Sequence, residues 1–167
     1  MRPNPSLKRS ANVRRHTNHS LHPMSNTSHL IASCLALVLL SFAVGMRMLY
    51  VRAAEMRLNK IHPQAASTSL QMAAKLKNVQ AADNFKNLFE VPVLFYALAA
   101  MSVSTSHVPL WLVFGAWLFV LLRVIHSAIH CTYNTVMHRF AVFGTSYLVV
   151  VALWVLFFMT LPVKNAA

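Results

Sequence analysis

The stretch VPLWLVFGAWLFVLLRVIHSAIHCTYN, Val108 to Asn134, decides the fold. Its first half, Val108–Leu122, carries no charge, and neither does the later run Phe140–Val163. A bilayer core about 30 Å thick needs about 20 apolar residues of helix to cross it. The segment comes close to that length before an arginine and two histidines break in at helical spacing. It reads as a membrane-embedded helix with a polar seam at one end.

Working outward, four windows meet the length requirement, at about residues 28–50, 88–106, 108–131 and 140–162. Composition agrees, with 57% of the 167 residues hydrophobic and 11% charged, far from an ordinary soluble domain. Three glycines and no alternating pattern argue against a transmembrane barrel. The predicted fold class is all-α, an integral membrane four-helix bundle occupying residues 24–167 as one domain. Residues 1–23 are polar, contain Pro and Ser, and show no apolar periodicity. They read as a disordered tail or an over-extended start, and not as a removable signal peptide.

The formal charge of +12 raises the question of nucleic acid, but its placement answers it. Five basic residues lie in the first 23 positions and seven between Arg47 and Lys86, against Glu55 and Asp83. No aromatics interleave with them to stack on bases. Such a loop beside apolar spans is a topology signal. It places the first loop on the cytoplasmic face and the uncharged Ser102–His107 turn outside, in a multi-pass protein of a bacterial-type inner membrane. The five early positive charges conflict with that orientation, and a start at Met24 removes the conflict. Cys34 and Cys131 fall near opposite faces of the membrane and are expected to be free thiols.

This topology puts the start of the second span and the end of the third at the same depth. Asp83, Asn87 and Glu90 share one helix face at i, i+4, i+7. Arg123, His126, His130 and Tyr133 form a seam at i, i+3, i+7, i+10, with Arg139 following. An intramembrane carboxylate costs about 2.5–3.5 kcal/mol unless paired or hydrated. Arg123 is therefore the expected partner of Glu90, leaving a cation-rich pocket suited to an anionic ligand. Competing readings stand beside this one. The Arg123–Glu90 pair alone serves as a structural bridge; His126 and His130 at i, i+4 ligate haem or a metal; His138 and Arg139 meet phosphate headgroups.

Asn87-x-x-Glu90 with Pro92 close behind, and Arg123-x-x-His126 followed by His130, are similar to motifs of the MAPEG family. These are membrane-associated proteins in eicosanoid and glutathione metabolism. The resemblance covers about residues 28–160 and is that of a divergent bacterial-type member. It implies a homotrimer that binds glutathione as co-substrate between neighbouring protomers near the cytoplasmic side. The implied glutathione contacts are Asn87, Glu90, Arg123, His126 and His130, with Arg47 or Arg52 joining from the first helix. The implied catalytic candidates are Arg123, Arg139 and Tyr133. Asp83 stands where many members have Arg, and His130 where Tyr is commoner. The function implied is a glutathione-dependent transferase or peroxidase that attacks lipophilic electrophiles with a thiolate. Two alternatives read from the residues are a non-catalytic membrane module, whose polar seam supports oligomerisation or binds a lipid headgroup, and a His-ligated haem or metal protein.

Overall fold

The computed structural model describes residues 25–161, so the expectations for residues 1–23 lie outside the described part. Five α-helices follow in order: α1 Asn26–Leu58, α2 Ser69–Lys75, α3 Gln80–Ser104, α4 Leu110–Cys131 and α5 Val136–Thr160. A single 3-10 turn, Pro63–Ala66, lies between α1 and α2. The described residues contain no strand, and α1, α3, α4 and α5 are each long and apolar enough to cross a membrane. The expected all-α four-span bundle is what the chain forms.

Local signals set the helix ends. Ser25 opens α1 by accepting the Ser28 N–H, and Thr68 with Gln71 closes a reciprocal capping box on α2. The expected end of the first span near residue 50 needs correction. No proline or glycine stops the chain there, and α1 runs on to Leu58, a length of about 50 Å. Its last two turns therefore project past the apolar layer. The fourth span, expected from about residue 140, also begins earlier, since α5 starts at Val136. The true connection is only Thr132–Thr135. Asn134 makes it possible by adopting φ 49° and returning its N–H to the Ile129 carbonyl at 2.9 Å. Asparagine tolerates this left-handed conformation better than other side-chain-bearing residues.

Helix α4 is the centre of the bundle, with α1 and α3 on one side and α5 on the other. Leu30 and Leu37 of α1, Phe95 and Leu98 of α3, Leu112, Ala116 and Phe119 of α4, and Val150, Leu153 and Phe157 of α5 make the core. The Phe95 and Phe119 rings meet at 5.0 Å between centroids. In lipid the driving force is packing, because the tails are as apolar as the side chains, so small residues and satisfied hydroxyls matter. Ser33, Ser102 and Ser146 are fully buried, and each donates to a carbonyl of its own helix at 2.6, 2.8 and 2.7 Å. They cost no unpaired donor.

Gly115 lets α4 approach α5, since a Cβ there runs into the Leu153 side chain. Gly144 has nothing within 4 Å of its added carbon. Gly115→Leu is therefore expected to destabilise the bundle by about 1–3 kcal/mol through overpacking, and Gly144→Leu to be silent. Thermal unfolding of both variants in the same detergent checks this.

A carboxylate ties the loop to the bundle. Glu55, on the projecting end of α1, accepts the backbone N–H groups of Lys77 at 2.6 Å and Asn78 at 3.1 Å. Charge-assisted bonds of this kind are roughly twice as strong as neutral ones. They fix where α3 begins.

Candidate functional site

The α4 seam lies at the loop end of the bundle and is buried within a single protomer. Arg123, His126, Ser127 and His130 are at most 3% exposed. They repeat at i, i+3, i+4, i+7, one face of a helix, and that face is turned towards α3 and α5. From α3 comes Asn84, also fully buried; its Oδ1 accepts the Ser127 hydroxyl at 3.3 Å and its Nδ2 points at the Cys131 sulfur at 3.5 Å.

The ion pair expected between Arg123 and Glu90 does not form. Arg123 Nη2 donates instead to the Asn87 main-chain carbonyl at 2.8 Å, and its guanidinium carbon lies 5.5 Å from the centre of the Phe143 ring. Helix rotation gives the reason. The inward stripe of α3 is Ala81, Asn84, Leu88, Val91 and Phe95. At about 100° per residue, Glu90 falls well off that stripe and is exposed together with Asp83. Asn87 sits between the two faces. Pro92 adds to this, because it has no N–H to return to the Leu88 carbonyl, loosening the turn that Arg123 reaches.

Four buried nitrogens have no hydrogen-bond partner among the described residues: Arg123 Nε and Nη1, His126 Nε2 and His130 Nδ1. Each unsatisfied buried group costs on the order of 1–3 kcal/mol. The contacts of the other ring nitrogens assign roles for neutral rings. His126 Nδ1 faces the Arg139 carbonyl at 3.3 Å, which only accepts, so His126 Nε2 is left as a lone-pair acceptor. His130 Nε2 faces Arg139 Nη1 at 3.3 Å, which only donates, so His130 Nδ1 is left as an N–H donor. Arg139 itself is held by the Asn134 side chain, Nη1 to Oδ1 at 2.9 Å. The residue that turns the chain also aims the arginine.

Two cavities flank this layer. One, of about 200 Å³, lies between α3, α4 and α5 and is lined by Asn87, His126, Arg139 and the apolar Val136, Phe140 and Phe143. The other, of about 130 Å³, lies between α1, α3 and α4 and is bordered by Arg47, His130 and Cys131. The structure thus brings together Asn87, Arg123, His126, His130 and Arg139. It leaves Glu90 on the outer face, and Tyr133 beyond the end of α4, 60% exposed with its ring 5.9 Å from His138. Of the two arginines on the first helix, Arg47 is the one that reaches α4, donating to the Cys131 carbonyl at 2.6 Å; Arg52 lines a separate hollow with Lys86. Cys34 and Cys131 are both free.

Sequence reasoning missed Asn84, Ser127 and Glu55. Asn84 carried a signal, as the one polar residue on an otherwise apolar inward stripe. Among the described residues no group of three or more His, Cys, Asp or Glu side chains is placed to hold a metal ion. The His126 and His130 rings lie 5.7 Å apart and nearly perpendicular.

The donor set is cationic and hydrogen-bonding on one wall and aromatic on the other. It fits a small anion carrying a titratable proton, presented to an apolar co-reactant. The sequence model of the MAPEG family matches residues 30–159, most of the chain. No curated protein and no solved structure matches it.

Proposed function

The chain belongs to the MAPEG family, and from that premise we propose that it is a glutathione-dependent transferase acting on lipophilic electrophiles. Members of this family are glutathione transferases or peroxidases, and the site favours the first chemistry. One observation carries the reading: His126, whose buried Nε2 has no hydrogen-bond partner among the described residues, borders a cavity together with Arg139.

A thiol entering there gives its proton to His126 Nε2, and Arg139 stabilises the thiolate that remains. The sulfur then attacks the electrophilic carbon, forming the S–C bond as the bond from that carbon to its leaving group breaks, and the departing group takes the electron pair and the proton held by His126. Arg123, enclosed behind Asn87 and Phe143, adds positive charge in a low-dielectric setting where it reaches further than in water. Phe140 and Phe143 give an apolar wall by which a co-substrate enters from the bilayer. With a lipid hydroperoxide the same thiolate attacks the terminal oxygen, forming an S–O bond as the O–O bond breaks; the sulfur is oxidised to a sulfenic acid, and the departing alkoxide takes the proton held by His126 and leaves as the alcohol.

The oligomer we propose is a homotrimer in a bacterial inner membrane, with the loop between α1 and α3 in the cytoplasm. Two features support it. Glu90 is exposed at intramembrane depth, and a cation from a neighbouring protomer offsets that cost. Arg52, Arg57, Lys60, Lys75, Lys77 and Lys86 gather on the loop side, as the positive-inside bias requires.

Titrating glutathione into the detergent-purified oligomer tests the assignment. The expected result is ultraviolet thiolate absorbance growing to saturation near neutral pH. A folded oligomer that develops none at millimolar glutathione overturns it.

A further inference from the structure

In water, the apolar stripe of a helix fixes its rotation, because turning the stripe away exposes hydrocarbon to solvent. In a bilayer that force is nearly absent, since lipid receives Leu88, Val91 and Phe95 almost as well as the bundle does. Polar contacts then decide between rotations of α3. The two acceptors that α3 can offer Arg123 are unequal. Glu90 carries a full negative charge, and the Asn87 main-chain carbonyl only a dipole. Charge favours the carboxylate, the more so because Arg123 is fully buried with Nε and Nη1 unpartnered among the described residues. Yet Arg123 Nη2 takes the carbonyl, at 2.8 Å, and Glu90 is exposed. Another contact must oppose the ion pair.

Asn84 supplies it. Its side chain is fully buried and faces two residues of α4 one turn apart. Oδ1 accepts the Ser127 hydroxyl at 3.3 Å, and Nδ2 points at the Cys131 sulfur at 3.5 Å. Together with the Arg123–Asn87 bond, these make two polar rungs between α3 and α4. At about 100° per residue, Asn87 lies about 60° around α3 from Asn84, and Glu90 about 120° in the same sense. Turning α3 far enough to bring Glu90 to Arg123 therefore carries the amide out from between Ser127 and Cys131. Both amide contacts are long, but an amide without partners in hydrocarbon is costly, since no water replaces them.

We propose that Asn84 is a positioning residue, whose amide holds α3 in the rotation that gives Arg123 the Asn87 carbonyl and keeps Glu90 on the outer face of the protomer. Choosing between packings that apolar contacts barely distinguish is the best-attested use of a single buried polar side chain. This inference involves no step of thiol chemistry, so it does not rest on the transferase reading.

The test follows thermal unfolding of the full-length protein in one detergent. Arg123→Met is made in the unaltered chain and again together with Asn84→Leu, which keeps a similar shape and has no hydrogen bonds to lose. In the unaltered chain Arg123→Met is expected to leave the midpoint where it was or raise it. With Asn84→Leu present, α3 turns and Glu90 pairs with Arg123. Arg123→Met then strands a buried carboxylate, and the midpoint falls by on the order of 10 °C. Adding Glu90→Gln abolishes that fall. A midpoint that Arg123→Met moves alike with and without Asn84→Leu overturns the proposal, and so does a fall that survives Glu90→Gln. Asn84→Ala, which removes the amide without adding bulk, goes through the same comparison. If neither Asn84 variant folds, the amide holds the bundle together instead of choosing its rotation, and the proposal fails. Glutathione is absent throughout, so these results stand apart from the outcome of the glutathione titration.

Discussion

Replacing Arg123 with methionine is expected to weaken glutathione binding about a hundredfold and leave the bundle as stable as before, or more so. Both halves follow from where the guanidinium sits. It is fully enclosed, makes one hydrogen bond to the Asn87 carbonyl, and leaves Nε and Nη1 unpartnered among the described residues. Enclosing a charge with so few partners works against folding, and apolar replacements of similar shape are often neutral or stabilising. The lost bond to Asn87 costs about 1 kcal/mol, which relief of the desolvation penalty offsets. The same charge acts on an anion in the adjoining cavity. At about 6 Å and an effective dielectric near 20, the attraction is about 2.8 kcal/mol, or two decades in affinity. The measurements are a glutathione titration and a thermal unfolding curve on the same preparation. If Arg123 is a structural bridge, the methionine variant melts markedly lower and the binding loss merely follows the unfolding.

The scaffold was legible because lipid imposes a coarse rule. Every backbone polar group in the hydrocarbon must be satisfied within a helix, so spans appear as long apolar runs. The seam on α4 was legible for a related reason, since Arg123, His126 and His130 fall on one face whatever surrounds them. What those side chains pair with was not legible. That depends on how α3 is rotated about its own axis, and the core stripe through Asn84, Leu88 and Val91 sets the rotation. The stripe leaves Glu90 outside and offers Arg123 a carbonyl instead. Pairing by charge sign selected the wrong acceptor because it ignored the main chain. Helix ends were hidden in a different way. Hydropathy falls away after Val51, but propensity and the Glu55 contacts carry α1 seven residues further. The role of Asn134 rests on one left-handed residue, which spacing alone does not reveal.

Arg139→Gln is expected to lower the rate of thiol transfer by two to three orders of magnitude, on the order of the loss when one preorganised donor to developing charge is removed. Substrate affinity should change much less. Arg139 is half-buried at the cavity edge and is oriented by Asn134 and His130, so its charge faces the position where a thiolate forms. A cation there stabilises the thiolate over the thiol and lowers the pKa of the bound thiol. Removing it raises that pKa, so the rising limb of the pH–rate profile moves to higher pH. At neutral pH the thiolate absorbance of the saturated complex falls, although glutathione is still bound. Arg139→Lys keeps the charge but loses the fixed fork, and should restore part of the absorbance and return the profile towards its original position. The direction of that pH shift separates this role from a packing role. Were Arg139 only a prop for His130 and the α4–α5 turn, the glutamine variant would lose stability or affinity while the profile kept its position. Were it only a headgroup anchor, neither the profile nor the absorbance would move.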